Sequence, residues 1–282
     1  MSRSSATDTA IAPEAYREFC DFLERASGIV LGDNKQYLVT SRLSRLMGEF
    51  GFMHFGDLLT ALRSSGSQAL GSRIVEAMTT NETSWFRDEH PFAVLRELIF
   101  PELAKSRRCR LRIWSAACAS GQEPYSIAIV QQEYRRANPG ALQEDAEILG
   151  TDISVSMLDL AKAGYYDQFA MSRGLTDEYK KRYFRPRDIG HKLVKELRNR
   201  VQFRQLNLLH SYAHLGRFDV IFCRNVLIYF ALEDKNAILS RMAASLSPGG
   251  YLVLGGTESL TAASEVLERV RHGGGVVYRR RD

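Results

Sequence analysis

The polar residues that most suggest chemistry follow a buried apolar run late in the chain. Residues 218–223 read Phe-Asp-Val-Ile-Phe-Cys, and Arg224 and Asn225 come next, before a second apolar stretch that ends in Tyr229 and Phe230. In an open α/β sheet, ligands bind at the carboxyl ends of the strands. Arg224 and Asn225 are therefore candidates for a ligand-binding strand tip, with a surface salt bridge as the alternative.

A turn of small residues follows an earlier apolar run at 111–117. It reads Cys-Ala-Ser-Gly-Gln-Glu-Pro over residues 118–124 and leads into a helical pattern. Small residues allow the backbone to approach a ligand closely. Gly121 is the only glycine of a G-x-G-x-x-G pattern, which argues against a dinucleotide pyrophosphate. A nucleoside ligand without phosphate fits better, and S-adenosylmethionine is such a ligand.

Two further predicted strands end in polar groups. Asp152 follows the run at 146–150, and an acid in this place can accept hydrogen bonds from ribose hydroxyls. An ordinary exposed aspartate is an equal alternative, and Ser154 is a good helix N-cap. Asn207 follows the run at 201–206. Its amide can bind an adenine edge or cap a turn, and turn capping is the somewhat commoner role.

Three basic residues near the N-terminus have the spacing of one helical face. Lys35, Arg42 and Arg45 are seven and three positions apart on a predicted second helix. Such a face suits an acidic helical partner, although most charge clusters of this size are only solvated. His210 and His214 have the i, i+4 spacing of a metal pair, but no third ligand is evident and no metal site is expected.

The elements that must position these residues form two regions. Up to about Met78 the apolar spacing is helical throughout. Helices are predicted from Pro13 to just before Gly28, at 34–47, around 55–62 and around 74–78. Proline suits the first position of a helix and glycine suits the residue after its end.

After Cys109 the chain alternates between short apolar runs and helical patterns, which is typical of a doubly wound α/β sheet. Strands are predicted at 111–117, 146–150, 201–206, 218–223, 251–254 and 276–278, and helices at 124–136, 154–163 and 232–246. The last strand follows too little helix for a parallel crossover and could return antiparallel. The basic, aromatic-rich stretch 164–200 breaks the alternation and predicts an inserted subdomain.

Composition narrows the class of protein. The chain has 282 residues, 45% hydrophobic and 25% charged, which is comfortable for two globular domains. No stretch approaches the ~18 apolar residues of a membrane span, so no membrane insertion is expected. The net charge of +5 permits an acidic protein or a nucleic acid as partner. The four cysteines form no CxxC pair, which favours a reducing cytoplasm; they are Cys20, Cys109, Cys118 and Cys223.

Three motifs in order resemble the CheR-type chemotaxis receptor methyltransferases. They read TTNETSWFR at 79–87, WSAA at 114–117 followed by SGQEPYSIA at 120–128, and CRNVLIYF at 223–230. The resemblance covers almost the whole chain from about Tyr16. It implies S-adenosyl-L-methionine as cofactor, S-adenosyl-L-homocysteine as product, and glutamate side chains of methyl-accepting chemotaxis receptors as methyl acceptors, giving glutamate 5-O-methyl esters in adaptation.

The resemblance also implies a domain organisation. A disordered tail at 1–12 would precede a helical receptor-docking domain at 13–78 and a linker at 79–90 that contributes to the cofactor site. A Rossmann-like methyltransferase domain would follow at 91–282, with a small inserted β subdomain at 164–200. The stretch 185–191 looks shorter than in members that bind a receptor's C-terminal peptide, so tail-independent action is expected.

The family pattern also implies site residues. Contacts to the cofactor are expected from Asn81, Thr83, Arg87, Glu123, Asp152, Asn207, Leu208, Arg224 and Asn225. Without the resemblance, Asn81 and Thr83 read only as helix caps. The resemblance also favours docking of a receptor's cytoplasmic helical domain on Lys35, Arg42 and Arg45. A monomer acting in the cytoplasm is expected, with no nucleic-acid partner and room for a regulatory protein.

The chemistry that this implies needs alignment more than acid–base catalysis. A glutamate side chain has an unperturbed pKa of about 4.3, so it is ionised at neutral pH and needs no general base. Alignment of the reacting atoms is worth up to roughly 7–11 kcal/mol. Arg87 is expected to hold a carboxylate with its planar fork, and Tyr229 to donate a weaker hydrogen bond to the acceptor. For Tyr229, packing in the core is an equal alternative.

Two rival functions remain on sequence grounds. One is methylation of RNA or a small molecule, although base methylation usually resembles an Asp/Asn-Pro-Pro-aromatic turn where this chain has Cys223 to Val226. The other is a cofactor-gated adaptor without enzymatic activity. Methyl esters release methanol in alkali and N-methyl groups do not, so the lability of the incorporated label separates these functions.

Overall fold

The computed structural model describes residues 11–64, 66–105, 110–142, 144–263 and 265–281. Most of the predicted disordered tail and Cys109 lie outside the described residues. The chain divides into two compact units: one is Met1–Thr80 with Tyr229–Ala231, and the other is Asn81–Ile228 with Leu232–Asp282. No helix in the described part of the chain is long and apolar enough to cross a bilayer.

The first unit is built from four helices, as the periodicity predicts. They are α1 (Pro13–Ser27), α2 (Gln36–Phe50), α3 (Phe55–Arg63) and α4 (Gln68–Met78). Each buries its apolar stripe, and the rings of Phe19 on α1 and Phe55 on α3 meet edge to face with centroids 5.5 Å apart. Helices this short are marginal in isolation, so packing of these stripes stabilises the unit.

The ends of α1 and α2 test the capping arguments. Pro13 is the first residue of α1, and Gly28 ends it in the left-handed conformation (φ 77°), with its N–H donating to the Glu24 carbonyl at 2.7 Å. Both predictions are confirmed. The second helix begins at Gln36 instead of residue 34, so Lys35 is its N-cap and precedes the helical face assigned to it. Lys35 therefore lies outside the first helical turn.

The second unit alternates strands and helices. Its helices are α5 (His90–Val94), continued by a π-helical turn (Leu95–Ile99) into α6 (Phe100–Lys105), then α7 (Gln122–Ala137), α8 (Val155–Ala163), α9 (Gln168–Ser172), α10 (Asp177–Tyr183), α11 (Lys195–Arg198) and α12 (Leu232–Ser245). Its strands are β1 (Arg112–Ala116), β2 (Glu147–Asp152), β3 (Tyr165–Asp167), β4 (Phe184–Arg187), β5 (Gly190–Leu193), β6 (Val201–Gln205), β7 (Phe218–Cys223), β8 (Leu246–Leu254), β9 (Leu267–His272) and β10 (Gly275–Arg280).

Seven of these strands form the central sheet, in the order β6-β2-β1-β7-β8-β10-β9. The strands from β6 to β8 are parallel, so their carboxyl ends share one edge of the sheet. The strand β10 pairs antiparallel with β8, as its short connection suggested. All six residues of β7 are buried, which is typical of a central parallel strand covered on both faces. The predicted Rossmann-like doubly wound fold is confirmed.

The stretch between β2 and β6 contains the inserted subdomain. Its three strands form an antiparallel sheet in the order β3-β5-β4, with three short helices around it. Trp85 packs edge to face on Tyr166 and Phe184 of this sheet, with centroids 4.8 and 5.1 Å away. The small β subdomain is therefore present, and its aromatic residues join the core of the second unit.

Two strands differ from the sequence prediction. The strand β9 was not predicted, because the exposed Arg269 and Arg271 alternate with half-buried residues and leave no apolar run after Leu267. The strand β8 begins at Leu246 instead of residue 251. A Pro-Gly-Gly sequence indicates a turn, but here it forms an irregularity in the pairing with β7, between Phe218 and Val220.

Candidate functional site

The turn after β1 has an unusual backbone. Ala117, Ala119 and Gly121 have φ values of 56°, 46° and 91°, so alternate residues adopt the left-handed region. Small side chains limit the steric cost of the left-handed conformation. The turn leads directly into α7. At Gly121 a Cβ atom would also lie 2.8 Å from the Cβ of Ala161 on α8. The turn therefore needs its glycine both for conformation and for packing.

Asp152, at the end of β2, holds this turn in place. Its carboxylate accepts hydrogen bonds from the N–H of Ala119 at 2.8 Å and of Ser154 at 2.9 Å. Ser154 in turn caps α8 by accepting from the N–H of Met157 at 3.2 Å, so the predicted N-cap is confirmed. Asp152 is only 6% exposed, so it is not an ordinary exposed aspartate. The acid predicted for the ribose thus also organises the tips of β1 and β2.

An ion-pair cluster links three segments at the sheet edge. Arg224 donates to Glu123 Oε2 at 2.9 Å, to Asp88 Oδ2 at 2.7 Å and to the Arg87 carbonyl at 2.7 Å. Glu123 also accepts from Ser115 Oγ at 2.7 Å. The Arg224 side chain is 2% exposed, so the surface salt bridge considered for it is wrong. Arg224 is a buried cation that joins the β7 tip to α7 and to the segment before α5.

The segment before α5 is strained. Phe86, Asp88 and Glu89 have φ values of 47°, 66° and 44°. Non-glycine residues in this region cost about 1–3 kcal/mol each and persist where surrounding contacts hold them. Here the contacts come from Arg224 and from Ser126 on α7, whose hydroxyl accepts the Phe86 N–H at 3.1 Å. Strain of this kind is common at ligand-binding sites.

The three residues that the family pattern assigned to this segment are half-buried: Asn81, Thr83 and Arg87. Arg87 donates to the Glu82 carbonyl at 3.0 Å, which uses one of the five N–H donors of its guanidinium. Glu82 in turn pairs with Arg173 at 3.0 Å. The segment that carries Asn81 and Thr83 is thus attached to the inserted subdomain, while its far end is attached to Arg224.

At the end of β6, Asn207 adopts the turn-capping role. Its Oδ1 accepts the Leu209 N–H at 3.0 Å, and the region is a loop. Leu208 is buried, and its carbonyl accepts a hydrogen bond from Arg241 at 2.8 Å. Turn capping by one amide oxygen is compatible with adenine recognition by the rest of the amide group, so the predicted role stays a prediction.

A residue that sequence reasoning missed, Glu258, holds the β7 tip. Its carboxylate accepts four backbone N–H groups, from Asn225, Val226 and Leu227 after β7 and from Gly255 after β8, at 2.8–3.0 Å. Asn225 itself has a φ of 56°. The pair Gly255-Gly256 signals a turn, but nothing local indicates that the following acid reaches the neighbouring strand. The backbone around Arg224 and Asn225 therefore depends on Glu258.

A second missed residue is Tyr166, on β3 of the inserted subdomain. Its hydroxyl donates to the carbonyl of Ser120, in the turn after β1, at 2.9 Å. Burial raises the pKa of Tyr166 well above its ordinary value, so the hydroxyl stays protonated and remains a donor. The subdomain is therefore attached to the turn as well as to Trp85.

Burial also controls the thiols beside the site. It raises the pKa of Cys118 and of Cys223 well above the ordinary value, and the charges of nearby carboxylates add to the rise. Because the thiolate is the reactive form, we expect both to resist iodoacetamide at pH 8 in the native protein and to be modified more slowly than the half-buried Cys20, whose pKa burial raises less far. Peptide mass spectrometry measures this, and alkylation of Cys118 as fast as Cys20 would contradict it.

The remaining predicted site residues lie in the helical unit. The Tyr229 carbonyl accepts the Val30 N–H at 2.9 Å, and its side chain is half-buried. Arg45 is exposed and pairs with Glu49 at 2.9 Å. Arg42 instead donates to the carbonyls of Met78 and Thr79 at the end of α4. A cation at a helix C-terminus satisfies orphan carbonyls, so Arg42 has a structural role within this unit.

The charged groups at the sheet edge fit S-adenosyl-L-methionine. They are four carboxylates and two guanidinium groups: Asp88, Glu123, Asp152 and Glu258, with Arg87 and Arg224. An excess of negative charge suits a ligand with a sulfonium and an ammonium group. A buried acid at the β2 tip suits ribose hydroxyls.

Comparison with known proteins agrees with this geometry. Residues 81–273 match the family model described as the CheR methyltransferase, SAM binding domain, and residues 14–79 match that of its all-alpha domain. Chemotaxis protein methyltransferase 1 of Pseudomonas aeruginosa is 50% identical over 94% of this chain and 97% of its own. The chemotaxis protein methyltransferase of Vibrio anguillarum is 49% identical over 97% and 99%. That of Salmonella typhimurium is 34% identical over 89% and 86%. With both of its units matched, this chain belongs to the CheR methyltransferase family and has the S-adenosylmethionine-binding domain of that family.

Proposed function

We propose that this protein transfers the methyl group of S-adenosyl-L-methionine to glutamate side chains of methyl-accepting chemotaxis receptors, giving 5-O-methyl esters and S-adenosyl-L-homocysteine. The observation that carries the proposal is the buried guanidinium of Arg224, paired with Glu123 and Asp88 and lying beside Asp152, at the carboxyl edge of the sheet. Relatives that are half identical over nearly the whole chain are named chemotaxis protein methyltransferases.

The residues of the chain have a positioning task in this reaction. The cofactor supplies an electrophilic methyl group bound to its sulfonium sulfur. The bond from this carbon to sulfur breaks as the bond to the acceptor oxygen forms, so the sulfur becomes a neutral thioether. Asp152 holds the ribose, and Glu123, at the start of α7, lies where the methionine end is expected. Arg224 keeps Glu123 and the segment of Asp88 in fixed positions. The acceptor carboxylate is already ionised at neutral pH, so no residue has to remove a proton.

Arg87 and Tyr229 are proposed to orient carboxylates. A planar guanidinium can hold a carboxylate with two parallel hydrogen bonds, although too tight a hold would lower the nucleophilicity of the acceptor. A tyrosine hydroxyl donates a single, weaker bond. We expect Tyr229→Phe to lower kcat about tenfold while the Kd of the cofactor is unchanged. Steady-state kinetics with isothermal titration measure this, and unchanged turnover would remove Tyr229 from the mechanism.

Receptor docking on the basic residues of the first unit gives another prediction. Lys35→Glu combined with Arg45→Glu is expected to raise the KM for a receptor fragment about tenfold at low salt and to leave the Kd of the cofactor unchanged. Arg42→Glu is expected instead to lower the melting temperature, because its guanidinium caps α4. Arg204→Glu with Arg217→Glu, at exposed positions on β6 and just before β7, is the control of equal charge change. An unchanged KM for the Lys35/Arg45 variant would contradict docking there.

The decisive experiment measures base-labile methyl incorporation. The purified chain is incubated with methyl-labelled S-adenosyl-L-methionine and receptor cytoplasmic fragments, with and without their C-terminal tails. We expect label that is released as methanol in alkali, and equal rates with both fragments. Alkali-stable label would favour another methyl acceptor, and absence of transfer despite cofactor and receptor binding would favour an adaptor.

A further inference from the structure

A polar cleft lies at the edge of the second unit, beside the candidate site. Its volume is about 550 Å³, within the range of ligand pockets in proteins. The end of β8, the β9–β10 hairpin and the segment before α5 form its walls. The lining residues used below are Asp88, His90, Gly256, Glu258, Arg269 and Tyr278.

The cleft adjoins the β7 tip on the side away from the proposed cofactor residues Asp152 and Asn207. In the strand order, β6, β2 and β1 lie on one side of β7, and β8, β10 and β9 lie on the other. The proposed cofactor residues Asp152 and Asn207 belong to the first side. The cleft belongs to the second, yet it shares Asp88 with the Arg224 cluster and Glu258 with the β7 tip. A group in the cleft would therefore approach the β7 tip from the side away from the cofactor.

The walls of the cleft are held together before any ligand binds. His90 donates from Nε2 to the carbonyl of His272 at 2.7 Å, which attaches the hairpin to the start of α5. The hairpin turn passes so close that a Cβ atom on Gly275 would lie 2.0 Å from the His90 ring. A preformed cleft costs less to occupy than one that must be ordered on binding.

The hairpin presents Arg269 at the cleft and Arg271 beside it on the same face. In the antiparallel pairing, Arg269 lies opposite Tyr278 and Arg271 lies opposite Val276, so these four side chains share one face. Both arginines are exposed. Among the described residues, neither forms a salt bridge, whereas Arg279 on the other face lies 3.9 Å from Glu268. A face of this kind attracts acidic groups.

We infer that this cleft receives the acidic polypeptide segment that flanks the acceptor glutamate. This rests on the proposed function, because it takes its acceptor to be a glutamate-bearing protein. The volume accommodates a few side chains, whereas a helix of about 10–12 Å diameter must lie across the rim. Arg269 and Arg271 bind the carboxylates of that segment. The acceptor side chain enters toward the β7 tip past Asp88, whose charge is offset by its ion pair with Arg224.

The test combines charge reversal with steric filling. Arg269→Glu with Arg271→Glu is expected to raise the KM for a receptor cytoplasmic fragment about tenfold at low salt, with a smaller effect at high salt. Gly256 has space around its Cβ position and no left-handed φ, so Gly256→Phe fills the cleft without backbone strain. It is also expected to raise this KM about tenfold. The Kd of S-adenosyl-L-methionine should stay within twofold of the parent value in both variants.

Arg204→Glu with Arg217→Glu, at exposed positions outside the cleft, is the control of equal charge change and should leave KM unchanged. If the parent protein transfers methyl to the fragment but both cleft variants keep the parent KM, the cleft assignment is wrong and the proposed function stands. An equal rise of KM in the control also overturns the assignment, because it would reflect net charge alone. If the parent protein transfers no base-labile methyl to any receptor fragment, the proposed function fails first.

Discussion

Glu258→Gln is expected to lower methyl transfer by about 100-fold, since displacements of about 1 Å in a site can have effects of this size. The Glu258 carboxylate accepts two N–H groups on each oxygen: Val226 and Leu227 on Oε1, and Asn225 and Gly255 on Oε2. An amide keeps one oxygen and turns the other into a donor. Two backbone N–H groups would then face an NH₂ group, and the left-handed Asn225 would lose its support.

The expected loss of stability is about 2–4 kcal/mol, because each unsatisfied N–H costs about 1–3 kcal/mol and the site is only partly buried. Kinetics and thermal unfolding measure the two effects. A positioning role predicts that kcat falls at 20 °C, where the variant is still folded, and that Glu258→Asp recovers part of it. Glu265→Gln, at an exposed position, is the control. A kcat for Glu258→Gln within threefold of the parent would contradict the assignment.

Arg224→Met is expected to lower the melting temperature of the catalytic unit by about 10 °C. Removing one partner of a buried ion pair costs about 3–5 kcal/mol, since the other charge stays buried without compensation. For a unit of this size, each kcal/mol shifts the melting temperature by about 2–4 °C. The Kd of the cofactor should rise more than about tenfold, because the strained segment at Phe86–Glu89 loses the contacts to the Arg87 carbonyl and Asp88.

A double-mutant cycle with Glu123 separates the pair from the individual charges. Arg224→Met with Glu123→Met should be less destabilised than the sum of the two single variants by about 1–3 kcal/mol, since the double variant leaves no buried charge unpaired; Asp88, the other partner of Arg224, is half exposed. Arg204→Met is an exposed control. Additive losses in the cycle would mean that Arg224 and Glu123 contribute independently, despite their 2.9 Å contact.

Local patterns predicted most of the secondary structure. The bounds of β7 match the prediction at Phe218–Cys223, because a fully buried parallel strand reads as one apolar run. Proline and glycine marked both ends of α1 for reasons that lie within a few residues. The strand β9 escaped prediction for the opposite reason: it lies at the sheet edge and exposes alternate arginines.

Only part of the candidate site could be predicted from local sequence patterns. The tips at Asp152, Asn207 and Arg224 follow apolar runs, so topology alone singles them out. Asn81, Thr83 and Arg87 lie in irregular backbone that has no periodicity, and only a family pattern pointed to them. For Arg42 the local pattern was misleading. Its helical spacing indicated a basic docking face, but its guanidinium donates to carbonyls at the end of α4, which the spacing could not indicate.

The sequence by itself determined the family, the cofactor and the order of the main strands and helices, because motifs and periodicities are local and contiguous. Only the tertiary structure decided which side chains hold the site together. Arg224 meets partners 101 and 136 positions away in the chain, and Glu258 reaches N–H groups 31 to 33 positions before it. Such contacts depend on which strands are neighbours in the sheet and on how their terminal loops bend, and no local propensity specifies either.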